Sequence, residues 1–164
     1  NAVQKHFQGA TWQRCQTHFS RNMLDQTPKT LQPKLKEELH QLYEAVNLES
    51  AKNVRNHIIA TYETKAPRAV ALLDEAFDDI TAVLILPLKY RKRLRTTNGV
   101  ERLNQEIRRR ERVIRIFPNE ASVIRLMGAL LMEQSEKLQT GRKYFEMDLY
   151  YQYLKNDQKE MVAA

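Results

Sequence analysis

The sequence predicts a mainly α-helical fold with at most one short strand. Three observations carry this. Apolar residues recur mostly at three- and four-residue intervals, which is the helical period. Glycine and proline, the residues that punctuate helices, number only four and five among 164 residues. A chain of this length also removes roughly 70% of its unfolded surface from water on folding, enough for one domain with a real core.

Taken in order, a short helical stretch leads into Gly9 to Cys15, whose loose alternation with Thr11 and Trp12 reads as the one strand. A helix is predicted from about Gln16 to Asp25, with Phe19 and Met23 on one face and His18 one position from it, ending before Pro28. Leu31, Leu35, Leu39, Leu42 and Val46 form a second apolar stripe, and Leu48, Ala51, Val54, Ile58 and Tyr62 a third that Glu49 and Ser50 suit as a beginning. Pro67 fits the first turn of a fourth helix bearing Val70, Leu73 and Phe77. These stripes read as core faces of an antiparallel helical array.

After the apolar run Val83 to Leu86, Pro87 opens a basic connector from Lys89 to Arg95 that includes Lys92. A helix should then run from about Gly99 to Ile114, break near Phe117, Pro118 and Asn119, resume from Glu120 to about Leu138, and resume again after Gly141 to about Lys155. Tyr144, Tyr150, Tyr151 and Tyr153 in the last stretch suit either packing or base stacking.

Charge narrows the partners. A net charge of +7 favours polyanions, nucleic acid or an anionic surface, without specifying one. The single Cys15 makes no internal disulfide, and no apolar stretch reaches the roughly 18 residues that cross a bilayer. A reducing, soluble compartment is the expectation. The chain opens on Asn1 without a leader pattern, which reads as a chain with no signal peptide and, lacking an initiator Met, as a fragment.

The helix around Glu101 concentrates the chemistry. On a helical wheel Val100, Leu103, Ile107 and Ile114 gather on one face, while Glu101, Gln105, Arg108 and Arg112 gather on another. Arg108 and Arg112 repel at four-residue spacing, and Arg109 and Arg110 add positive potential, so an anion there would be stabilised. Two simpler readings stay open. Asn98 and Glu101 have the spacing of a capping box, and the arginines suit a solvated face laced with Glu106 and Glu111.

The string RTTNGVERLNQEIRRR, with VIRIFPNEASVIRL after it and WQRCQTHFSRN near the start, resembles the Mutator-type transposases of bacterial insertion sequences. About seventy residues of mostly helical sequence separate the two matches, in keeping with that family's helical insertion into an RNase H-like core. The resemblance implies the carboxy-terminal part of such a domain. Residues 1–26 would be a strand and helix of the core, 27–88 the insertion, and 89–164 the basic connector, the Glu101 helix and the terminal helices.

It also implies the chemistry. The family's triad of two aspartates and a glutamate holds two divalent ions, Mg²⁺ by expectation, for DNA strand cleavage and joining. Asn98, Glu101, Arg102 and Asn104 match the motif of the glutamate, so the resemblance makes Glu101 the catalytic, metal-binding residue. Cys15 and His18 match the family's pattern of Cys or Asp, two residues, then His, and are expected as a buried thiol beside a hydrogen-bonded histidine, since two ligands fall short of a structural zinc site. Arg102, Arg108, Arg109, Arg110 and Arg112, with Lys92 and Arg95, would face DNA. Both aspartates lie upstream of the tryptophan motif in the family; Asp25, Asp74, Asp78 and Asp79 fall in the insertion and do not replace them. The implied partners are transposon ends, target DNA and further copies of the protein, in the bacterial cytoplasm at the nucleoid. A noncatalytic DNA-binding module and a helical interaction protein are the alternative readings.

Overall fold

The computed structural model describes residues 5–141, 143 and 145–163, with side chains as far as 155. It divides into two compact units, residues 1–96 and 97–164.

The first unit is built on four amphipathic helices: α1 (Gln16–Asp25), α2 (Gln32–Tyr43), α3 (Leu48–Tyr62) and α4 (Pro67–Thr81). Helix α1 packs on α2 and α4, and α3 packs on the same two, so the four close into a ring. The predicted stripes point into it. Phe19, Met23, Leu35, Leu39, Leu42, Ala51, Ile58, Tyr62, Leu73, Phe77 and Ile80 are buried, with Leu31, Val54 and Val70 half-buried around them. Val46 departs from its stripe. It lies past the end of α2 and is 76% exposed, because the helix stops at Tyr43 and the register is lost.

Local signals set the helix ends. The Asn47 side chain accepts from Ser50 N at 2.8 Å to cap α3. Prolines occupy the first turns of α2 and α4, where no intrahelical N–H is required. Between α1 and α2, Gln32 Nε2 donates to the carbonyls of Leu24 and Thr27, at 2.8 and 3.0 Å, and so ties the connecting turn.

The predicted strand at Gly9 to Cys15 does not form, and no strand occurs among the described residues. Its end runs extended, but its hydrogen bonds go elsewhere. Arg14 N donates to Asp79 O and Gln16 N to Arg95 O, both at 2.9 Å, while Gln13 Oε1 accepts from Val83 N at 2.7 Å. A strand needs a ladder partner, and here the segment is stitched to helix ends instead.

The run after α4 becomes a 3₁₀ turn, Ala82–Ile85, and the basic connector is itself helical, α5 (Leu88–Leu94). Arg91 explains part of its composition. Its guanidinium donates to Leu86 O at 2.7 Å and to Ala45 O and Val46 O at 3.1 and 3.0 Å, a structural use of a basic residue.

The second unit holds α6 (Asn98–Ile114), α7 (Glu120–Thr140) and α8 (Met147–Ala163). The predicted break at Phe117 to Asn119 is present, and Asn119 caps α7 by accepting from Ser122 N at 2.9 Å. Among its described residues only Leu130 is buried.

Candidate functional site

Glu101 lies in the first turns of α6 and is exposed, with the Thr97 hydroxyl donating to its Oε1 at 2.6 Å. The capping box read from Asn98 is displaced by one residue. Thr97 holds the N-cap position and Asn98 is already helical, so Glu101 falls one place beyond the capping-box spacing. The first turn of a helix stabilises a negative charge through the exposed backbone N–H groups and the helix dipole.

Four positions later the same stripe reaches Gln105, then Arg108 and Arg112. The arginines of α6 fall into two groups. Arg109 donates to both oxygens of Glu106, at 2.6 and 2.9 Å, and Arg110 bridges Glu106 at 3.3 Å and Glu133 at 2.9 Å. Lys137 completes the network on Glu133 at 2.7 Å. The hydrogen bond from Arg109, reinforced by Arg110, pulls the Glu106 carboxyl down to about 2. Lys137 and Arg110 hold Glu133 below the usual carboxylate range, and Glu106 in turn raises Arg109.

Arg108 and Arg112 belong to the other group. With Glu111 and Arg115 they line an open hollow of about 720 Å³. Arg115 closes α6 with φ of 64°, the one non-glycine residue with positive φ among those described. Its neighbours clasp across it, Ile116 N donating to Ile114 O at 2.8 Å, the hydrogen bond of a γ-turn. Such a backbone costs a non-glycine residue on the order of 1–3 kcal/mol.

The other predicted residues are spread more widely. Arg102, Asn98 and Asn104 are exposed on α6. Lys92 is exposed on α5, whereas Arg95 forms an ion pair with Glu44 that lowers the glutamate's pKa. Cys15 is half-buried rather than buried and His18 is exposed. The thiol sits at the N-cap of α1, where the chain has only just entered the bundle, and His18 points off the apolar face that Phe19 fills. Cys15 neighbours Tyr43, whose phenol is pushed up to about 12 chiefly by burial. Tyr150 and Tyr153 are half-buried and Tyr151 exposed; Tyr144 lies outside the described residues.

The described residues contain no cluster of three His, Cys, Asp or Glu side chains able to hold a metal ion. Nor does any described helix have the length and apolarity to cross a membrane. Glu101 thus offers one hard oxygen donor of the kind Mg²⁺ prefers, a single ligand and not a complete site.

The model of the family "Transposase, Mutator family" matches residues 1–141. The chain belongs to the Mutator family of transposases. Among its relatives, the transposase for insertion sequence element IS256 in transposon Tn4001 from Staphylococcus aureus is 38% identical over 90% of this chain and 38% of its own length. That for element IS1081 from Mycobacterium tuberculosis is 36% identical over 85% of this chain and 34% of its own. That for ISRM5 from Rhizobium meliloti is 38% identical over 85% and 35%. This Mutator-family chain therefore spans little more than a third of the length of the relatives it matches. No solved structure matches it.

Two residues of the site escaped the sequence reading. Thr97 was legible as a polar residue before the helix, but not as the one whose hydroxyl holds Glu101. Arg115 continues the spacing of Arg108 and Arg112 by three, a signal overlooked because it falls just past the helix that ends at Ile114.

Proposed function

We propose that this chain is the part of an insertion-sequence transposase that supplies the glutamate of a metal-dependent DNA strand-transfer site. Glu101 is that glutamate, and two aspartates from elsewhere in the complete protein complete the set. The observation that carries the reading is an exposed carboxylate on the first turns of an arginine-rich helix, inside the motif by which the chain resembles the family.

Bound divalent ions, Mg²⁺ by the hardness of the carboxylate donors, would stabilise the entering and leaving oxygens as water or a DNA 3′-hydroxyl displaces one phosphate ester. The chain's own part is positional. Helix α6 fixes the direction of the Glu101 side chain, and the Thr97 hydroxyl restrains its Oε1. The basic residues of α6 draw the phosphate backbone toward it, contacts that set register and affinity without reading sequence. Cleavage belongs to the complete protein, and this chain's share is to bind DNA. DNA ends, target DNA and further copies of the protein are the partners of the whole transposase, acting in the cytoplasm at the nucleoid.

The test grafts this chain into the Staphylococcus aureus relative in place of the matching stretch and measures Mg²⁺-dependent cleavage at insertion-sequence ends. Glu101→Gln should reduce cleavage by at least about a hundredfold, since even outer-shell partners of a metal site are worth 10–100-fold. Glu120→Gln, on α7, should not. Cleavage within a few-fold of the unsubstituted chimera after Glu101→Gln removes the assignment.

A further inference from the structure

The five arginines of α6 and the one that ends it do not share one role. Glu106 and Glu133 already neutralise Arg109 and Arg110, through bonds of 2.6 to 3.3 Å. Among the described residues the side chains of Arg108, Arg112 and Arg115 take part in no ion pair or hydrogen bond, and all three are exposed. They converge on one open hollow, with Glu111 as its only acidic wall. Like charges held together without counterions raise one another's free energy, and an anion relieves that cost. Arg115 adds a second indication, because a residue that would sit relaxed as glycine at φ 64° is instead the third cation of the group.

We propose that Arg108, Arg112 and Arg115 form a clamp for phosphates of duplex DNA, whereas Arg110 ties α6 to α7 through Glu133 and Arg109 holds the Glu106 carboxylate that Arg110 shares. This rests on the reading that the ligand is DNA, and it assigns the contacts that reading left undivided. Position along the helix gives the clamp its reach. At a rise of about 1.5 Å per residue, Arg108 and Arg112 stand roughly 10 and 16 Å along the axis from Glu101, on the same stripe. Both distances exceed the roughly 3.4 Å that one nucleotide rises along the duplex axis. The clamp therefore grips the flank of the reacting position and not the scissile phosphate itself. Guanidinium forks suit that task, since each takes two phosphate oxygens at once.

The experiment measures binding of the 164-residue chain to a short labelled duplex over a range of salt concentrations. Each lost phosphate contact lowers the log–log salt slope by about 0.9. The variant R108A/R112A/R115A should lose between two and three units of slope, with affinity at low salt falling by at least about tenfold. R109A/R110A should keep the slope and lower the melting temperature instead. Arg115→Gly separates the roles further, since it relaxes the turn: melting temperature should hold or rise while the slope falls by about one. Glu111→Gln should tighten binding. The clamp is overturned if the triple variant keeps the slope, or if R109A/R110A loses as much of it. It is overturned also if phosphatidylglycerol vesicles compete the duplex away through the same three arginines. Glu120→Gln, outside the hollow, must leave the slope unchanged; the slope is read without cleavage, so failure of the clamp and failure of the catalytic reading are separately visible.

Discussion

Residues 1–96 and residues 97–164 are both helical, yet they solve the problem of stability in opposite ways. In the first unit, four apolar stripes close on one another and leave side chains such as Leu35, Ile58 and Leu73 with no exposed surface. In the second, Val113, Ile116, Ile124, Met132 and Leu138 are exposed, and Leu130 alone is buried among the described residues. What holds α6 and α7 there is the Asn119 cap and the net of Glu106, Arg109, Arg110, Glu133 and Lys137. The lesson concerns where function sits. The candidate site lies on the unit with the smaller interior, where charged side chains are exposed and not engaged in covering a core.

The sharpest way to break this contrast is a pair of large-to-small substitutions. Leu73→Ala, at a position with 0% exposure, should lower the unfolding free energy by about 2–5 kcal/mol, from lost transfer energy and the cavity left behind. Leu131→Ala, at 44% exposure on α7, should change it by no more than about 0.5 kcal/mol. Urea unfolding followed by circular dichroism reads both. Equal losses would mean that the second unit has an interior of its own.

How much of this was legible beforehand follows the same division. The stripes of α1 to α4 could be read because burial imposes a period, and Phe19, Met23, Leu39 and Phe77 all lie where the period put them. Val46 could not, since its position depends on where α2 stops, a matter of one turn. The strand at Gly9 to Cys15 was misread because a strand exists only with a partner, and composition says nothing of the partner. At the site, the wheel put Glu101, Arg108 and Arg112 on one stripe, and Arg108 and Arg112 line one hollow. The wheel had no means of separating Arg109 and Arg110 from them as internally paired, because Glu133 lies twenty-three residues from Arg110. Long-range pairing of charges leaves no periodic trace.

Matched helix caps offer a smaller and cleaner comparison. Asn47 and Asn119 make the same bond, each accepting from the N–H of a serine three residues on, at 2.8 and 2.9 Å. Removing either side chain with Ala should cost about 0.5–2 kcal/mol of helix stability. The readouts should differ. In Asn47→Ala the loss should appear as a lower midpoint for the whole first unit, because α3 packs on both α2 and α4. In Asn119→Ala it should appear as faster hydrogen exchange confined to the first turns of α7. Protection lost throughout the second unit would instead show that its helices fold as cooperatively as the bundle.

The smallest effect tests whether charge pairing contributes to the second unit at all. Glu106 ionises at about 2 in the folded chain, against an ordinary value of 4.5, chiefly through its hydrogen bond from Arg109. A carboxyl with a depressed folded pKa contributes stability that is fully present above the unfolded value and is lost as pH falls through the folded one. The contribution should therefore fade between about pH 5 and pH 2, with Glu133, also depressed, fading in the same direction. Both pairs are solvent-accessible, so the effect should be slight and should shrink further as salt is added. Amide exchange across α6 is the measurement, comparing the unsubstituted chain with Glu106→Gln, which cannot carry the charge at any pH. At neutral pH the variant should exchange faster. The difference should close as the unsubstituted chain is acidified, because protonation then makes the two side chains alike in charge. A gap that persists well below pH 2 would place the stabilisation in packing of the side chain and not in its charge.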